Sequence, residues 1–187
     1  DVADKTETIG ALTVTSGSIT GTSGVLSATS CAGKAGTVSA VLAGTSNLSG
    51  TTTTWLTKDT AGTLELAAAN TFTGNITVTA GRLTLSNSAA LGVADPTPGG
   101  TNRKGLISQG TSRSVWLKGG ISLPADIDII ASSNSGDGSG INNESGNNQI
   151  QGPIYFSTGN PALNISSSAD ALTISGNVTL TTTSRTL

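Results

Sequence analysis

Histidine and methionine are missing from this chain of 187 residues, cysteine occurs once, and aromatic residues make up only 3%. One thiol cannot build a disulfide framework, and without histidine no zinc cluster of the usual ligand set can form. Cys31, in TSCAGKAG, reads as a small buried side chain. Charge is also scarce: nine basic and eleven acidic residues give a net charge of -2, and no stretch concentrates Lys or Arg. That removes the electrostatic footprint of a nucleic-acid partner. Apolar runs are only a few residues long, and no basic segment precedes one. Neither a transmembrane helix nor a signal peptide is visible, so any export signal is expected outside this stretch.

What fills the chain instead is 25 Ser, 31 Thr and 25 Gly. Strong helix formers are few apart from Ala and Leu, while Val, Ile and Leu recur throughout, which separates the composition from that of a disordered segment. Apolar residues alternate from end to end: Leu12 and Val14, Leu64 and Leu66, Ile76 and Val78, Leu83 and Leu85, Val115 and Leu117, Ile127 and Ile129, Leu172 and Ile174. Each pair predicts a strand with one buried face. Ser-Gly, Thr-Gly and Gly-Asn pairs stand between them as turns. LELAAAN is the best helix candidate by propensity, but the alternation leading into it favours sheet.

A longer and nearly regular period runs through Ile19, Leu42, Leu64, Leu83, Leu106, Ile127, Ile150 and Leu172. Its spacing is that of a coil holding three short strands and their connections. The expected fold is therefore a solenoid in one domain, 1-187. Coils about 4.8 Å apart would stack inward side chains into an apolar column and leave Thr and Ser outside. Roughly eight or nine coils make a rod about 40 Å long, with an unpaired sheet edge at each end.

The segment LTKDTAGTLELAAANTFTGNITVTAGRLTLSNSAALG, Leu56 to Gly92, resembles the autotransporter-associated β-strand repeat, also called the passenger-associated transport repeat, of large bacterial surface proteins. GTLEL, NTFTGNITVTAG and LTLSNSAALG carry the likeness, with residues 62-92 as its centre. ETIGALTVTSGSITGT, ISLPADIDI, NESGNNQIQGPIYF and ALTISGNVTL look like the same superfamily of secreted β-helices. The resemblance implies a right-handed parallel β-helix, three-sided and extracellular, at a bacterial cell surface, and it brings no catalytic residues. Read across a join of two copies, TTSRTLDVADKTETIGALTV resembles uninterrupted β-helix, so identical copies are expected head to tail, covalently joined or stacked.

Residues able to carry chemistry are few. Asp126 and Asp128, in PADIDII, are expected on one outward face about 7 Å apart, compatible with acid/base work or calcium but more simply a solvated strand. Asp137 and Glu144 lie in SNSGDGSGINNESGNN, whose oxygens suit a hard cation. It lacks the spacing of known calcium loops and reads as a Gly-rich connection between coils. Arg103 and Lys104, in PTPGGTNRKG, are expected on another such connection. Trp55, Trp116, Tyr155 and Phe156 would form a sugar-stacking platform or subunit contact if aligned outside, and otherwise belong to the core. The sequons at Asn47, Asn75, Asn143, Asn164 and Asn177 are expected by chance in so Ser/Thr-rich a chain, and the asparagines could stack as ladders at corners.

The expected function is structural: a stalk or filament segment of a bacterial surface fibre, without catalysis or cofactor. An adhesive passenger binding a glycan or host surface is the first alternative. A carbohydrate-active β-helix enzyme is the second.

Overall fold

Alternating side chains separated by turn residues can bury one face only by folding back onto another such segment, and the chain does this repeatedly in the same direction. The computed structural model describes residues 1-45, 54-94, 104-109, 114-132, 139-156 and 163-180, and these contain strands and no helix. The first coil holds β1 (Thr6–Thr8), β2 (Ala11–Val14) and β3 (Ser18–Ile19). The second holds β4 (Val25–Ser27), β5 (Ser30–Gly33) and β6 (Gly36–Val38). β7 (Val41–Ala43) and the long, bent β8 (Thr54–Leu66) form the third; β9 (Asn75–Leu85) supplies two sides of the fourth. The fifth coil contains β10 (Lys104–Gln109) and β11 (Ser114–Lys118), and the sixth β12 (Ser122–Leu123), β13 (Ile127–Ser132) and β14 (Ser139–Ser145). β15 (Asn148–Ile150), β16 (Ile154–Phe156) and β17 (Leu163–Ser167) make the seventh, and β18 (Leu172–Ile174) with β19 (Val178–Leu180) the eighth.

Every strand pair is parallel, and each strand lies on its counterpart one coil earlier. The molecule is a three-sided parallel β-helix. Its first side is the ladder β2, β5, the start of β8, the start of β9, β10, β13, β16 and β19. The second is β3, β6, the ends of β8 and β9, β11, β14 and β17. The third begins with β1, β4 and β7 and finishes with β12, β15 and β18. Between these runs the chain itself continues that side, since Thr71 N–H donates to Leu42 O and Val93 N–H to Phe72 O.

Register puts like over like inside. One interior column runs Leu12, Cys31, Leu56, Ile76, Leu106, Ile129, Ile154 and Val178, one residue per coil. A second runs Leu64, Leu83, Val115, Ile141 and Ile165. Coils differ in length: along the first column the step from Leu12 to Cys31 takes the least chain and that from Ile76 to Leu106 the most. For that reason the regular period read from the sequence is correct in kind and wrong in phase. Leu64 does pair with Leu83, but Leu42 pairs with Leu26, Leu106 with Ile129, and Ile150 with Ile174.

Corners repeat as strictly as strands. At the turn from the second side to the third, Gly119, Gly120, Gly146 and Asp170 all adopt positive φ, so the stacked corners share a left-handed bend that glycine enters without steric cost. At the turn onto the first side, a Cβ on Gly152 would sit 1.8 Å from Ile127 O, and one on Gly176 would sit 1.9 Å from Gly152 O. Close backbone stacking there requires glycine.

Asparagine lines the inside of one corner. Buried Asn148 accepts from Ile121 N–H at 2.6 Å and donates to Ser145 O at 2.9 Å and to Asn143 Oδ1, while Asn143 donates to Ala169 O and to Ser167 Oγ one coil further on. Asn70 does the same between Leu42 N–H and Ala90 O. Buried asparagines therefore bridge coils through backbone groups but do not stack as ladders, since Asn143 lies in register between Leu117 and Ser167 and Asn148 on Leu172; of the sequon asparagines, Asn143 is interior. SNSGDGSGINNESGNN is only partly a connection, because its second half forms β14 and the start of β15.

Candidate functional surface

The aromatic residues do not line up. Trp55 is buried, stacked on Phe72 with centroids 4.1 Å apart and planes 14° off parallel, and its Nε1 donates to Ala28 O at 3.2 Å. A bulge in β8 puts it there: Thr54 pairs with Asn75 and Leu56 with Ile76, so Trp55 is an extra residue turned inward beside Leu56. Phe72, which sequence reasoning passed over, is its partner. Trp116 and Tyr155 are half-buried on different sides of the helix. The Phe156 side chain, Asp137, Arg103 and Asn47 lie outside the described residues.

Trp116 is the centre of the most elaborate polar arrangement. Outward residues stack as Thr37, Glu65, Thr84, Trp116 and Asn142 on the second side. The Arg82 guanidinium lies 3.8 Å above the indole centroid, donates through Nε to Thr84 Oγ1 at 2.9 Å, and reaches Glu144. Glu144 is itself the extra residue of a bulge, between Asn143 and Ser145 opposite Leu117 and Lys118. Beside it, Lys118 Nζ meets Glu65 Oε1 at 2.8 Å, and Ser86 Oγ donates to the same oxygen at 2.8 Å. Partial burial would raise the Glu65 pKa, but the hydrogen bonds from Lys118 and Ser86 and the charges of Lys118 and Arg82 hold it below the ordinary carboxylate range. Arg82 thus covers one face of the half-buried Trp116 ring. The indole Nε1 has no hydrogen-bond partner among the described residues.

The carboxylates singled out for chemistry occupy two sides of the helix. Asp128 stands half-buried on β13 between buried Ile127 and Ile129, Asp126 occupies the turn before that strand, and Glu144 is engaged by Arg82 on another side. Among the described residues no group of three or more Cys, Asp and Glu comes close enough to hold a metal ion. Cys31 is buried and its thiol is pushed up to about 12 by desolvation, which suppresses the reactive thiolate. A shallow neutral groove of about 370 Å³ crosses the corners of the first three coils, lined by the hydroxyl-bearing Thr8, Ser27, Thr29 and Thr45 and by Ile9.

Fold and surface together define a solenoid whose outward charged groups on the second side bind its own coils to one another. Among proteins of known character, the chain is 46% identical over 86 residues to the adhesin BmaC autotransporter of Brucella suis biovar 1 (strain 1330). That alignment covers 45% of this chain and 2% of the adhesin, so the chain matches a small part of a far longer polypeptide. No family model matches the chain, and no solved structure does.

Proposed function

We propose that the chain is a segment of an autotransporter-type passenger at a bacterial cell surface, in which it serves as a rigid β-helical stalk with an adhesin-like role. The 46% identity over 86 residues to an autotransporter adhesin carries this reading. A continuous apolar cluster from Leu12 to Ile154, interrupted only by buried groups such as Lys58 and the corner asparagines, supports it, because such a column needs only more coils to become longer. Antibody raised against this chain should label intact cells expressing the whole polypeptide, and external protease should remove the label. Label that appears only after permeabilisation would refute surface display.

Stacking of identical copies head to tail is the finer form of the reading. It is supported by the eighth coil, where column residue Val178 is 44% exposed, as is neighbouring Ile165 at 45%. Sedimentation of the purified chain should give a series growing with concentration, whereas a monodisperse monomer would remove stacking and leave the stalk. Glycan or host-surface adhesion is a second reading, favoured by the neutral hydroxyl-lined groove. A glycan array probed with the chain separates it from a purely mechanical role.

A further inference from the structure

Two ionic contacts on the second side differ from all the backbone bonding around them, because each skips a coil. Glu65 belongs to the third coil and Lys118 to the fifth; Arg82 belongs to the fourth and Glu144 to the sixth. Each tie runs diagonally, upward and toward the end of its strand, and the two overlap so that four successive coils are joined. Trp116 is the surface over which the second tie passes, with the guanidinium seated on its ring. The placement is not incidental to the coil lengths. The longest excursion of the first column, from Ile76 to Leu106, separates the fourth coil from the fifth. Both ties span that step.

Backbone ladders alone join only nearest neighbours, so a β-helix comes apart from an end one coil at a time. We propose that the two diagonal ties with Trp116 form a longitudinal clamp, a built-in stop at which opening from the eighth coil halts once it reaches the sixth. Coils three to six then open as one unit. The side chains are suited to this: Arg82 and Glu144 are 28% and 37% exposed, and Lys118 and Glu65 39% and 21%, enough covered to escape part of the solvent screening of a free surface pair. The cation over the indole adds an attraction that survives the loss of either carboxylate. This inference does not depend on where the protein is displayed.

Hydrogen exchange on the purified chain tests it. Amides of β17, β18 and β19 should exchange first and together, and those of β8 to β14 last and with a common rate. Arg82→Gln and Glu144→Gln should each speed exchange in β11 and β14 roughly fivefold while leaving β2 and β5 unchanged, a size set by partly buried ion pairs and cation-π contacts. The double variant should be little faster than Arg82→Gln alone, since Arg82 makes both the tie to Glu144 and the contact with Trp116, of which Glu144→Gln removes only the first. If a variant does not fold, about 0.5 M NaCl on the unaltered chain should produce the same local acceleration by screening. Strictly additive effects, acceleration spread evenly along all coils, or no response to either charge removal or salt would overturn the clamp.

Discussion

Lys58 is the residue least expected from the sequence: a fully buried lysine in a rod with few charges of any kind. It points inward opposite Val78, and its ammonium closes the corner by donating to Ala80 O at 3.2 Å and to Thr60 O. Burial holds its pKa below the ordinary lysine range, and the neighbouring Asp59 charge opposes that shift in part. An unfolded lysine titrates near ~10.4, so between the lowered folded value and that pH the unfolded chain binds more protons and stability rises with pH. Lys58→Met removes this dependence. Urea titrations at pH 7 and pH 10 should therefore show the variant losing ground to the natural chain at the higher pH, and a difference that stays constant would mean the ammonium is not desolvated.

The elements are held in register by their corners as much as by their strands. Asn148 satisfies the Ile121 N–H below it in a buried bond and the Ser145 carbonyl beside it in a part-buried one. Asn148→Ala should cost about 2-3 kcal/mol in a urea melt because it leaves such groups unpaired, whereas Asn147→Ala at the exposed neighbouring position should cost about 1 kcal/mol or less. Strand existence and the solvent-facing Thr were legible in the sequence because alternation at period two is a local property: Leu83 and Leu85, and Val115 and Leu117, are buried as read. What escaped was whatever depends on one extra residue. The bulge at Trp55 breaks the alternation that would have set it opposite Leu56, and the bulge at Glu144 lets Arg82 reach across two coils. Nor does local pattern reveal which coil is long, so Leu42, Leu106 and Ile150 have column partners other than those the period predicts.

For the whole molecule, the relevant contrast is between the buried middle of the interior columns and their exposed members in the last two coils. Ile165 and Val178 continue interior columns yet remain almost half exposed. Replacing both with Thr should change the stability of the isolated chain by no more than about 1 kcal/mol, as at other surface positions, while sharply reducing fluorescence of a hydrophobic dye. Dye binding that is unaffected would place the accessible apolar surface elsewhere.

The short step from Leu12 to Cys31 and the long one from Ile76 to Leu106 coexist on one undisturbed ladder. The rod thus counts rungs rather than residues: chain can be added between Ala94 and Lys104 without moving Leu106 off Ile76. A lineage carrying such a spine is free to vary what projects from it, gaining or losing whole surface decorations by insertion and deletion, while the scaffold underneath keeps its pitch.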